Sequence, residues 1–87
     1  MKFKPLTSAQ IRSARALIRW RAQDLALESA VGVATIRRAE LASAQTSLTA
    51  ANDQAIRRAL EIAGVQFIDE NGGGPGVRLR KHKGTKK

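Results

Sequence analysis

Apolar residues recur along this chain in two different rhythms, and the change of rhythm divides it. Ile11, Ala14, Leu17 and Ile18 fall on one helical face, while Arg12, Arg15 and Arg19 point elsewhere. Thr7-Ser8-Ala9-Gln10 precedes them as a capping box, with Thr7 at the N-cap and Gln10 at N3, and Leu6 and Ile11 occupy the staple positions. The pattern predicts a first helix from about Ser8 to Arg19, after a short arm over residues 1–5. A second, shorter helix is predicted over Arg21–Ala30, with Leu25 and Ala26 inside. A third runs from Val33 to about Leu41, with Gly32 as N-cap, Val31 and Ile36 as staple, and Ile36 and Ala39 inside. Ala42–Thr49 reads as a polar loop. A fourth helix, about Ala50–Ala63, turns Ile56, Ala59, Leu60 and Ala63 to the core, and Gly64 stops it.

Beyond Gly64 the period drops to two. Val65-Gln66-Phe67-Ile68 and Val77-Arg78-Leu79-Arg80 read as strands around the turn-rich Asn71-Gly72-Gly73-Gly74-Pro75-Gly76. The expected architecture is therefore mainly α: four helices over residues 6–64, a β-hairpin over 65–80, and a tail over 81–87. A chain of 87 residues makes one domain at most.

Charge adds a polyanion partner to this picture. There are 16 Lys+Arg against 7 Asp+Glu. Arg78, Arg80, Lys81, Lys83, Lys86 and Lys87 load the last ten residues, which hold no acid. Such a tail suits DNA, RNA, an anionic surface or an acidic protein. Aromatics are confined to Phe3, Trp20 and Phe67. Stacking platforms for single strands need clustered aromatics, so the weight moves to duplex DNA.

Other chemistry finds little material. With no Cys there is no disulfide and no thiolate metal site, and the single His82 lies in the Lys-rich tail. Neither a catalytic nor a metal site is expected, nor any cofactor: no G-x-S-x-G, no H-E-x-x-H, and Asp69-Glu70 are adjacent, so in a strand they diverge. The Gly72–Gly76 run lacks P-loop spacing and precedes a strand, so it reads as a hairpin turn. Trp20 reads as a packing residue at a helix junction, and Arg57-Arg58 as solvated surface. No apolar run nears the roughly 20 residues of a membrane span. A cysteine-free chain without a secretory segment fits the cytoplasm.

The stretch from Ala22-Gln23-Asp24-Leu25-Ala26 through Ala30-Val31-Gly32-Val33-Ala34-Thr35-Ile36-Arg37-Arg38-Ala39-Glu40 resembles the helix-turn-helix of lambda repressor/Cro-like (XRE) regulators. The segment from Ala59-Leu60-Glu61-Ile62-Ala63-Gly64-Val65-Gln66-Phe67 to Val77-Arg78-Leu79 resembles small bacterial members of that family, so the likeness covers about residues 6–80. It implies a four-helix DNA-binding domain with a helix-turn-helix over Arg21–Leu41, acting as a cytoplasmic bacterial transcription regulator. By this resemblance Gly32, Val33, Ala34, Thr35, Arg37 and Arg38 face the major groove. Val33 or Ala34 would meet a thymine methyl, and Arg38 a guanine. Arg21 and the backbone N–H groups of Ala22 and Gln23 would favour a phosphate at the start of the second helix.

Three positions depart from the family pattern: Ala22 where Gln is usual, Ala30 where Gly is usual, and Gly32 where Ser or Thr is usual. These departures keep two alternatives open. One is an antitoxin-like or adaptor module that binds a toxin or the transcription machinery. The other is a non-specific nucleic-acid-coating protein. Lys81 and Lys83 are expected to add phosphate contacts without sequence preference. The apolar face of the hairpin, Val65, Phe67, Val77 and Leu79, is expected to be covered by Leu60 and Ala63 of the fourth helix, while the hairpin's unpaired strand edges are expected to join two copies into a homodimer.

Overall fold

The computed structural model describes residues 4–43 and 45–80. Four helices and one hairpin follow in chain order: α1 Ser8–Ile18, α2 Ala22–Ser29, α3 Val33–Leu41, α4 Ala50–Ile62, β1 Val65–Ile68 and β2 Gly76–Leu79. The mainly helical layout with a C-terminal antiparallel hairpin agrees with the expected periodicities. The ends differ by a residue or so: Arg19, Ala30 and Ala63 are C-caps, Arg21 is an N-cap, and β2 begins at Gly76.

Capping chemistry fixes where the helices begin. Thr7 Oγ1 accepts from the Gln10 N–H at 3.1 Å, and Gln10 Oε1 accepts from the Thr7 N–H at 2.9 Å, closing the box reciprocally. Thr49, at the end of the polar loop, caps α4 by accepting from the Asn52 N–H at 3.0 Å. At the other end of α4, Gly64 adopts φ 110°, a conformation that a Cβ would strain, and turns the chain directly into β1.

One core joins all six elements. Ile11, Leu25, Ile36, Ile56, Leu60 and Val65 are its largest fully buried hydrophobic side chains. Leu17 departs from the expected inner stripe of α1: it lies at the rim and is 38% exposed. The hairpin lies across α1 and α4, with Val65 opposite Leu79 and Phe67 opposite Val77. Gln10 Nε2 pins its far end by donating to Ile68 O (3.3 Å) and Gly76 O (3.0 Å). The near end closes through the Arg80 N–H to Gly64 O, 2.7 Å.

Two polar residues inside this core tie elements together. Ser8 Oγ lies 2.8 Å from both Ala39 O and Ala42 O, sharing its single proton between them and fastening the start of α1 to the end of α3. Asp53 is fully buried, and its Oδ2 accepts from the Leu6 N–H at 2.8 Å. Its Oδ1 has no hydrogen-bond partner. Burial pushes the Asp53 carboxyl above its ordinary range, opposed by the Leu6 N–H and by the charge of Arg57. No helix among the described residues is long and apolar enough to cross a membrane.

Candidate nucleic-acid interface

The turn between α2 and α3 is made by a residue that dislikes it. Ala30 sits in the left-handed region, φ 63° and ψ 19°, and its N–H returns to Ala26 O at 2.9 Å. Ser29 braces the same corner: its Oγ donates to Leu25 O at 2.6 Å and accepts from the Val31 N–H at 3.2 Å. Val31 is buried, and Gly32, exposed, serves as N-cap of α3 through its carbonyl alone, accepting from the Ile36 N–H at 3.1 Å.

What α3 shows to solvent follows from what it buries. Ile36 and Ala39 are in the core, and Val33 is half-buried against it. Ala34, Arg37, Arg38 and Leu41 are exposed, and their i, i+3, i+4, i+7 spacing makes them one face. Thr35 is half-buried and accepts a long hydrogen bond, 3.4 Å, from Arg38 Nη2. Arg38 lines a groove of about 330 Å³ between α3 and the loop that holds Thr46, Ser47 and Leu48.

The acid that would spoil this basic face is turned away. Glu40 is buried, and Arg15 of α1 grips it with both arms of its guanidinium fork, Nε to Oε2 and Nη2 to Oε1, each 2.7 Å. Arg15 Nη1 also donates to Trp20 O at 2.8 Å, and Arg12 donates to Glu40 O. The side-chain hydrogen bonds to Glu40 push the Arg15 pKa up, against the opposing effect of burial. Arg15 lies off the apolar stripe of α1, as expected, but does not extend freely into solvent. It reaches under α3, because Ile36, Ala39 and Glu40 share the inner face at i, i+3, i+4. That spacing is legible in the sequence, as is the Asp53, Ile56, Leu60 spacing that places Asp53 inside α4.

Ala22 is buried in the core, 8% exposed, so its side chain faces no ligand and only its backbone remains for one. The start of α2 already holds an anion, since Asp24 Oδ2 accepts from the Arg21 N–H at 2.8 Å, with the Arg21 Nε 3.9 Å away. A phosphate there would compete with Asp24. Val33 is only half available. Arg21 and Gln23 are exposed as expected, and Gln23 shares a shallow apolar recess with Ala26, Leu27, Gly32 and Val33 at the elbow.

The apolar face of the hairpin is covered within its own chain, as expected. Val65 is 0% exposed, and Phe67 and Val77 pack against the core, which leaves Leu79, 53% exposed, and the β2 edge. That edge carries Arg78 and Arg80. Both turn back into their own copy: Arg78 Nε donates to Gln66 Oε1 at 3.1 Å, and the Arg80 guanidinium donates to Glu61 O. Lys81 and Lys83 lie outside the described residues. Among the described residues, no cluster of His, Cys, Asp or Glu is arranged to hold a metal ion. No protein-family model matches the chain, and comparison with curated proteins gives no match.

Proposed function

We propose that this protein binds duplex DNA sequence-specifically, with α3 entering the major groove, in the manner of a small lambda repressor/Cro-like bacterial regulator. The observation that carries this reading is the exposed face of α3: Ala34, Arg37 and Arg38 side by side, with the helix's only carboxylate buried beneath them against Arg15. A B-DNA major groove admits one helix, and a helix offered to it needs cations and short apolar side chains on a rigid support. Here Ile36, Ala39, Ser8 and Arg15 supply the support from behind. Arg37 and Ala34 are the base-facing candidates. Arg38, inclined along Thr35 towards Ser47, combines a base contact with a phosphate contact at the groove wall. Arg21 and Gln23 flank the phosphates, and Lys81 and Lys83 add unspecific attraction. Selection of bound sequences from a random duplex pool tests the proposal: a recurrent motif supports it, and failure to enrich any motif overturns sequence-specific reading.

A second reading keeps the fold and changes the partner. Leu27 and Leu41 are 79% and 84% exposed on α2 and α3. Leucines this bare on the two helices of the turn favour an adaptor that binds another protein. Substituting Leu27, which lies off the Arg37–Arg38 face, by Gln tests this reading: binding to a partner protein should be lost while DNA affinity is little changed.

A further inference from the structure

A recess of about 420 Å³ lies between the chain at Lys4–Pro5, the middle of α4, and the hairpin loop. Its volume is in the range of small-molecule sites. Opposite charges face into it without pairing. Lys4 and Arg57 line one side, and Asp69 and Glu70 belong to the loop on the other. Among the described residues the ion pairs are Arg15–Glu40 and Arg21–Asp24, so neither cation is matched to either acid.

Arg57 makes no ion pair within the described residues, and its charge also acts on the buried carboxylate of Asp53, one turn earlier on α4. Its Nη2 donates to Lys4 O at 2.9 Å, and its guanidinium lies 5.3 Å from the centre of the Phe67 ring. The remaining N–H groups of an oriented fork are the usual seat of a carboxylate. Across the recess, Glu70 accepts from the Gly72 and Gly74 N–H groups at 2.9 and 3.2 Å, which fixes the loop. The exposed carboxylate of Asp69 makes no hydrogen bond or ion pair within the described residues, and so is available to a cationic group.

The geometry points to a binding site for a small zwitterion of the amino-acid class, from a single amino acid to a dipeptide, with its carboxylate on Arg57 and its ammonium on Asp69. A ligand bridging these residues would clip the hairpin loop to α4 and to the segment before Leu6. Ser8, two residues on, grips the end of α3, so the site is well placed to influence the DNA-binding face. Binding itself is independent of that reading and is measured without DNA.

The full chain, labelled for amide NMR, is titrated with L-alanine, L-lysine, L-glutamate and glycylglycine. N-acetyl-alanine supplies the anion alone, and alaninamide the cation alone. The expected result is saturable shifts confined to the residues around Lys4, Arg57 and Asp69 for at least one zwitterion, with both half-ligands about tenfold weaker or worse. Arg57→Gln and Asp69→Asn should each weaken binding by a similar factor. Asp69 is exposed, so D69N carries the test even if R57Q does not fold. The proposal is overturned by absence of saturable shifts up to about 10 mM, by equal binding of either half-ligand, or by unchanged binding to D69N.

Discussion

Arg15 on α1 and Glu40 on α3 meet through two parallel hydrogen bonds of 2.7 Å, with their side chains 22% and 8% exposed. A bidentate fork of this kind fixes orientation as well as distance. Because Glu40 follows Ile36 and Ala39 on the inner face, the pair sets the roll of α3 about its own axis and so the direction in which Arg37 and Arg38 point. Removing one partner strands the other in a poorly solvated place. Arg15→Ala or Glu40→Ala should destabilise the fold by about 3 kcal/mol, the lower end for breaking a buried pair. Chemical denaturation checks it, and a loss below about 0.5 kcal/mol would show that the bridge behaves as an ordinary surface pair.

Ala30 carries a strain that a single substitution relieves. Its φ of 63° places an exposed alanine in the left-handed region. Ala30→Gly should stabilise the protein by about 1 kcal/mol, the native relief being partly offset by the greater freedom of glycine in the unfolded chain. A thermal melt reads this directly. A lowered melting temperature would mean that the corner depends on packing of the methyl group.

Asp53 makes stability depend on pH in a direction opposite to that of most carboxylates. Its folded pKa is raised above the ordinary value of 3.8, chiefly by burial. The native state therefore binds the proton more tightly than the unfolded chain does. The stability this group contributes is fully present below 3.8 and is lost as pH rises through the raised folded value. Asp53→Asn retains an acceptor for the Leu6 N–H and removes the charge, so relative to it the wild type should lose stability as pH rises above 3.8 and through the raised folded value. Parallel melts of the two proteins across that window give the answer, and identical pH profiles would refute the shift. Asp53→Ala leaves the buried Leu6 N–H unpaired and should cost about 1–3 kcal/mol at any pH.

On the DNA side, Arg38→Ala should weaken binding to the selected site by about 1–3 kcal/mol and relax preference at one or two base pairs. Competition binding on single-base variants of the site measures both. Equal weakening on every sequence would assign Arg38 to phosphate alone, leaving Arg37 as the base reader.

The basic tail is best removed after Arg80, because the Arg80 N–H closes the hairpin on Gly64 O and its guanidinium donates to Glu61 O. Truncation there should flatten the plot of log K against log salt by about 0.9 for each phosphate that the tail had neutralised. If affinity and slope are unchanged, Lys81 and Lys83 take no part in DNA binding.

Much of the fold was legible as local pattern. Capping residues, a 3.6-residue apolar rhythm and a helix-ending glycine are chemistry between near neighbours, so Thr7, Gln10, Ile36 and Gly64 announce their roles in the order of the chain. The same locality explains the boundary errors of a residue or so at Arg19, Arg21 and Ala63, where a cap and a first or last turn compete for one position. The inward face of α3 was equally written in the spacing of Ile36, Ala39 and Glu40.

Only the tertiary structure decided which distant groups satisfy one another. Arg15 looks like any solvated arginine until α3 lies across it, 25 residues away in sequence. Gln10 reads simply as a capping residue, yet its amide also holds the hairpin, 58 and 66 residues further on. The Ala22 side chain, at the first residue of α2, closes the core, and the apolar face of the hairpin is covered by α1 as well as by the expected α4. The physical reason is the same each time. Periodicity tells which side of an element is buried, but the partner buried against it is fixed by how the elements close on one another.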